Sequence, residues 1–149
     1  MPGYAERQRD LKEKFCFGRK CEHCSLPPAQ REESDLRLNK IRFIDEAIKH
    51  LDGIVLNPET GLHLVHMMFC LFEEEGIWDA RIPRAYYDAF QIAIASGHGA
   101  RAKVFAERAY AVRTVIEGDD SPETMRLKRL AERPAEHSLY GDDQEVDAI

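Results

Sequence analysis

The sequence lacks an apolar run long enough to cross a membrane. Its longest apolar stretch, Leu62 to Phe72, contains His66 and is far shorter than the ~20 residues that a membrane-spanning helix requires. The N-terminal region also lacks the basic and apolar segments of a secretory signal. We therefore expect an intracellular protein, nuclear or cytoplasmic, with no membrane partner.

An excess of positive charge is also missing. The 149 residues include 21 Lys and Arg against 27 Asp and Glu, and the net charge is −6. A chain with this balance is not expected to bind nucleic acid by itself. The sequence contains no Ser-His-Asp order, P-loop or dinucleotide fingerprint, so it predicts none of these sites.

The remaining composition is that of one globular domain. Hydrophobic residues make up 44% of the chain and charged residues 32%, which is typical of a folded protein. No segment has the pattern of a strand. Instead, apolar residues recur at helical spacing, as at Ile41, Ile44 and Ile48 and again at Leu62 and Val65. The sequence predicts an all-α fold.

Capping and breaking residues divide the chain into four regions. Residues 1–14 are predicted to form a basic helix, 15–28 a cysteine segment, 32–134 a helical region, and 135–149 an acidic, disordered tail. In the helical region we expect N-terminal boundaries at Ser34 or Asp35, Asn57-Pro58, Pro83 and Ser121-Pro122, and C-terminal boundaries at Asp52-Gly53, Gly76, Gly97, Gly118 and Pro134.

Short connections predict that successive helices are antiparallel neighbours. The predicted helices 83–96 and 100–117 have the size of one tetratricopeptide (TPR) unit. Ala102 and Ala109 lie seven residues apart in the second helix, as small residues do where helices of such a repeat approach closely. We expect an antiparallel TPR-like stack, although the full repeat consensus is absent.

Three of the four cysteines lie close together. Cys16, Cys21 and Cys24 have the spacing C-x4-C-x2-C, and thiolates two residues apart can bind one zinc ion. The third ligand is Cys16 or His23. The fourth has to come from elsewhere: Cys70, a remaining histidine, another chain or a missing segment. One alternative to zinc binding is that the cysteines are free thiols. A further alternative is redox activity of Cys21 and Cys24, which the two prolines that follow them disfavour.

The segment Phe15-Cys-Phe-Gly-Arg-Lys-Cys-Glu-His-Cys-Ser-Leu-Pro27 resembles the post-SET segment of SET-domain protein lysine methyltransferases. The likeness is to the SET- and MYND-domain group and its fungal relatives, and it extends over roughly residues 4–141. It includes Ser34-Asp35 at the start of a long helix, Glu74-Glu75-Gly76-Ile77, Tyr86-Tyr87-Asp88-Ala89-Phe90 and Arg101-Ala102-Lys103-Val104-Phe105-Ala106-Glu107-Arg108-Ala109.

The resemblance implies a role for the cysteine segment. In this family, post-SET cysteines bind zinc together with a cysteine of the SET domain, and the aromatics wall the channel for the substrate lysine beside S-adenosylmethionine. Cys21 and Cys24 match two of the ligands, and Phe15 and Phe17 match the aromatics. Arg19 stands at the first ligand position, so Cys16 would have to replace it.

The strands of a SET catalytic core, its Gly-rich cofactor segment and its Asn-His motif do not occur in this chain. We therefore expect a C-terminal helical fragment that is inactive alone. In a full-length parent, which would bind S-adenosylmethionine, it would close the active site and bind the protein substrate or a partner. The rival hypothesis is a free-standing TPR-like adaptor that binds a protein or peptide and has a structural zinc or spare thiols.

Other residues offer weaker candidates. His63 and His66 are three apart on the most apolar helix and are expected to be core or boundary histidines. Cys70 is expected to be a small buried hydrophobe. Residues 73–75, three consecutive glutamates, are expected to form a solvated helix end.

Overall fold

The computed structural model describes residues 4–15, 23–50 and 57–139. Within these ranges there are helices and turns but no strand, which confirms the all-α fold. Six α-helices lie in the described ranges: α1 (Tyr4–Phe15), α2 (Pro28–Lys49), α3 (Pro58–Glu74), α4 (Arg81–Ala95), α5 (Gly99–Glu117) and α6 (Pro122–Glu132). Short 3₁₀ turns lie at His23–Ser25 and Pro134–Glu136. No helix in the described ranges has the length and hydropathy that crossing a bilayer requires.

The helices from α2 to α6 pack successively, each against the next in the chain. α2 and α3 are antiparallel, because Ser34 near the start of α2 contacts Glu75 just after α3. α4 and α5 form the most extensive helix pair, and they are joined by a tight turn in which Gly97 has a φ of 73°. The predicted stack of sequential neighbours is therefore present.

The core has two parts, which meet at α4. One lies between α2, α3 and α4, and the other between α4, α5 and α6. Ala102 and Ala109 are fully buried, as close approach of α5 to its neighbours requires. Phe90 and Ile94 of α4 are the largest fully buried side chains.

Several predicted boundaries are confirmed. The Asn57 side chain accepts a 3.0 Å hydrogen bond from the backbone N of Glu59 and so caps α3. Gly76 and Gly118 follow α3 and α5 with positive φ angles. Pro122 is at the start of α6.

Two predicted helix starts are wrong. α2 begins at Pro28, six residues before Ser34, because proline is well tolerated at the first helical position, where its missing N–H costs nothing. α4 begins at Arg81, before Pro83, because the Asp79 carboxylate accepts a 3.0 Å hydrogen bond from the Arg81 backbone N. The predicted end of α2 at Asp52-Gly53 lies outside the described residues.

The first residues of the predicted disordered tail, 135–139, are packed on the helices. Pro134–Glu136 form a 3₁₀ turn, His137 packs on Phe90 with ring centroids 5.2 Å apart, and Leu139 packs on the second core. Apolar contact with α4 therefore orders residues 135–139. Residues 140–149 lie outside the described ranges.

Candidate functional site

Most of the cysteine segment lies outside the described residues. This is true of Cys16, Phe17 and Cys21, while Phe15 is the last residue of α1. Cys24 is half-buried in the 3₁₀ turn before α2. In the ranges the structure describes, no three His, Cys, Asp or Glu side chains are arranged to hold a metal ion. The zinc site of this segment therefore stays a prediction.

The two helices that flank the cysteine segment are joined to each other. The backbone N of Tyr4 donates to both oxygens of Asp35, at 2.8 and 3.0 Å, and Arg7 lies 3.8 Å from the same carboxylate. The guanidinium of Arg31 lies 4.3 Å from the centre of the Tyr4 ring. These contacts fold α1 back onto the first turns of α2. The cysteine segment is consequently a connection between two helices that already touch.

Glu75 connects α2 to α3. Its carboxylate accepts a 2.6 Å hydrogen bond from the Ser34 hydroxyl and a second one from Nε of Arg37. The hydrogen bond to Glu75 raises the pKa of Arg37. The Glu75 side chain is only 7% exposed, so the prediction of a solvated helix end is wrong for this residue. Two donors on α2 make its burial possible.

An apolar groove runs along the face of α2 and α3 that is turned away from α4. Leu36, Phe43 and Met67 lie along it and expose 61%, 76% and 42% of their surface. Leu64 and Leu71 of α3 contribute further to its lining, and the groove has a volume of about 1040 Å³. The groove thus brings several exposed aliphatic and aromatic side chains together on one face of the protein.

The sequence contains a signal for this groove that the helical periodicity obscures. The buried positions of α2 are Leu38, Ile41, Ile44 and Ile48, and they form one stripe. Leu36 and Phe43 are seven residues apart and share a different face of the helix. The buried stripe packs on α3 and α4, whereas Leu36 and Phe43 are exposed.

His66 and Cys70 lie at the border of the groove. Both are exposed, and Nε2 of His66 is 3.9 Å from Sγ of Cys70. His63 is exposed as well. The prediction of a buried cysteine is therefore wrong, and of the two predicted alternatives for the histidines, core or boundary, the core is wrong. The side of α3 that carries these residues has no helix packed on it in the described part of the chain.

A second polar cluster connects the C-terminal turn to α4 and α6. Nε2 of His137 lies 3.0 Å from the Tyr87 hydroxyl, and its Nδ1 accepts from the backbone N of Leu139 at 3.2 Å. Since Nδ1 accepts, Nε2 carries the proton and donates to Tyr87. Arg126 stacks on the other side of Tyr87, 4.4 Å from its ring centre. Burial and the positive charge of Arg126 lower the pKa of His137.

The comparisons with known proteins add no family to this picture. No protein-family model matches the chain, and no curated protein matches it significantly. The resemblance to SET-domain methyltransferases accordingly depends on the residues of the cysteine segment and of the helices that follow it.

Proposed function

We propose that this chain is the C-terminal helical portion of a SET-type protein lysine methyltransferase, and that it binds protein and transfers no methyl group by itself. The observation that supports this is the contact of α1 with α2 through Tyr4 and Asp35. That contact attaches α1, the helix that leads into the cysteine segment, to the first part of the stack. In the proposed role, a segment attached in this way packs against another protein body.

In the proposed role, the cysteine segment closes the active site of a separate or covalently joined catalytic body. Cys16, Cys21 and Cys24 would hold zinc together with a cysteine of that body, and Phe15 and Phe17 would wall the lysine channel. S-adenosylmethionine would bind in the catalytic body. The stack from α2 to α6 would carry the segment and contact the protein substrate.

Labelled S-adenosylmethionine tests the proposal directly. The chain is assayed with histone and total-protein substrates, with and without a SET catalytic body of the SET- and MYND-domain group from which the helical region has been removed. We expect methyl transfer only from the mixture. Transfer by the chain without the catalytic body contradicts the proposed inactivity, and failure of the two to associate contradicts the proposed role.

Two substitutions make the test specific. Asp35→Ala removes the acceptor that holds α1, so we expect it to weaken activation of the catalytic body. Glu32→Ala is the matched control, because Glu32 is exposed one turn earlier on the same helix. The double variant Cys21→Ser/Cys24→Ser should abolish activation while the helical circular dichroism stays unchanged.

The alternative function is a free-standing TPR-like adaptor for a protein or peptide. The apolar groove between α2 and α3 favours it, because the groove lies on the helices and requires no catalytic body. Zinc analysis separates the two hypotheses. About one zinc per chain, lost in the Cys21→Ser/Cys24→Ser variant, indicates a self-sufficient structural site and supports the adaptor.

A further inference from the structure

His66 and Cys70 supply an imidazole and a thiol, two of the four ligand groups that a tetrahedral zinc site requires. They are one helical turn apart on α3, so both side chains project from the same side of the helix. Both are exposed, and imidazole nitrogen and thiolate sulfur are the two ligand types that zinc prefers. The pair is thus accessible to a metal ion from solvent.

The distance between the two ligand atoms fits a shared ion. Zinc binds nitrogen at about 2.0–2.1 Å and sulfur at about 2.3 Å, which in a tetrahedron places the two atoms about 3.5 Å apart. Nε2 of His66 and Sγ of Cys70 are separated by 3.9 Å. A small rotation of either side chain closes the difference.

Within the described residues, no third His, Cys, Asp or Glu joins this pair. We propose that two copies of the chain share one zinc ion at this place, each contributing His66 and Cys70, so that a two-fold axis completes a His₂Cys₂ site. On binding, each thiol releases its proton to solvent and the ion binds two thiolates. The occupant of the groove face is then a second copy of this chain.

The apolar side chains around His66 and Cys70 favour contact of this face with a protein surface rather than with water. Met67 lies between the two ligands in sequence, and Phe43 of α2 lies on the same groove with 76% of its surface exposed. A two-fold axis through the metal brings these apolar side chains of both copies together. Their burial adds to the free energy of metal binding.

The charges on this face are compatible with self-association. The groove border carries Lys40 and Arg42 as well as Glu46 and Glu74, so its local charge is balanced although the chain has a net charge of −6. A balanced face selects for neither a strongly basic nor a strongly acidic partner. Two copies can therefore meet here without the repulsion that their net charge creates elsewhere.

The experiment measures the mass of the full chain by light scattering during a titration with zinc chloride, with a non-thiol reductant present. We expect the mass to double from 17.1 kDa with zinc and to return on addition of EDTA. His66→Ala and Cys70→Ser should each weaken zinc-dependent dimerisation by about 100-fold or more, since even outer-shell partners of a metal are worth about 10–100-fold in affinity. His63→Ala, one turn away, is the matched control.

Other variants exclude competing explanations. Cys21→Ser/Cys24→Ser should keep the zinc-dependent dimer, and Phe43→Ser should weaken it while Val115→Ser, equally exposed on α5 at 74%, does not. Cobalt replacing zinc should produce tetrahedral absorption bands that Cys70→Ser reduces.

Three results would overturn the proposal. One is a chain that stays monomeric with zinc. Another is a dimer that persists in EDTA, whether it is held by apolar contact or by a Cys70 disulfide. The last is a zinc-dependent dimer that needs Cys21 and Cys24 but not His66, because the metal would then be bound by the cysteine segment.

Discussion

The Ser34 hydroxyl on α2 donates a 2.6 Å hydrogen bond to Oε2 of Glu75, the residue that caps the C-terminal end of α3. Ser34 is only 2% exposed, and Arg37 donates to the other oxygen of the same carboxylate. A single buried acid therefore satisfies two donors of the neighbouring helix. This bond fixes the register of α2 against α3, and with it the shape of the groove between them.

Glu75→Ala is expected to destabilise the protein by about 1–3 kcal/mol, because it leaves the buried Ser34 hydroxyl and the Arg37 guanidinium without their acceptor. Denaturant unfolding followed by circular dichroism measures the change. Glu73→Ala is the control, since Glu73 is exposed two residues earlier and its loss should change stability by less than about 0.5 kcal/mol. Equal effects of the two substitutions would contradict a structural role for Glu75.

Stability should fall as the pH drops through the ordinary titration range of histidine. The pKa of His137 is lowered by burial and by Arg126, so below about pH 6.5 the unfolded chain takes up a proton more readily than the folded one. The stabilising contribution of His137 is complete above the unfolded pKa and is lost as the pH falls through the folded pKa. Protonation also places a second proton at Nδ1, which then cannot accept from Leu139.

A pH series of unfolding curves on the His137→Gln variant checks this. We expect the wild-type chain to lose more stability than the variant between about pH 7 and pH 5, within the titration range of histidine. His63→Gln, which alters an exposed histidine, should retain the full pH dependence. An unchanged slope in the His137 variant would show that another group titrates.

Gly118→Ala and Gly99→Ala should have opposite effects. Gly118 has a φ of 87°, where a side chain is strained, so we expect a loss of about 1–3 kcal/mol. Gly99 begins α5 with no atom within 4 Å of an added Cβ, and alanine there should stabilise by up to about 1 kcal/mol by restricting the unfolded chain. Thermal and denaturant unfolding of both variants measures the difference.

Phe90→Ala is expected to cost about 3–5 kcal/mol, because Phe90 is fully buried where α4 meets α5 and the C-terminal turn. Phe43→Ala, measured in EDTA so that no zinc-dependent dimer forms, is the matched control: the same atoms are removed from a residue that is 76% exposed, so the free energy of unfolding should change by less than about 0.5 kcal/mol. Equal losses in the two variants would contradict the burial of Phe90.

Much of the fold was predictable because its signals are local. Asn57 caps α3 through its own side chain, and Gly118 ends α5 because few other residues adopt its backbone conformation. The start of α2 was harder to predict from the sequence. Pro28 and Ser34 are both acceptable helix starts by local criteria. In the structure the helix begins at Pro28, and the Ser34 hydroxyl donates to Glu75, 41 residues away.

The candidate sites likewise divide into one that local sequence predicts and one that depends on tertiary packing. The spacing of Cys21 and Cys24 predicts a metal site from neighbouring residues only, whereas the exposure of His66 and Cys70 could not be predicted. α3 is apolar nearly all round, and its sequence does not indicate which side faces the core.

The sequence by itself determined the helices, because capping, helix breaking and helical periodicity act within a few residues. Only the tertiary structure decided which faces are buried. α4 covers one side of the α2–α3 pair and leaves Leu36, Phe43, His66 and Cys70 exposed on the other, since burial depends on which helix packs where and not on the residue itself.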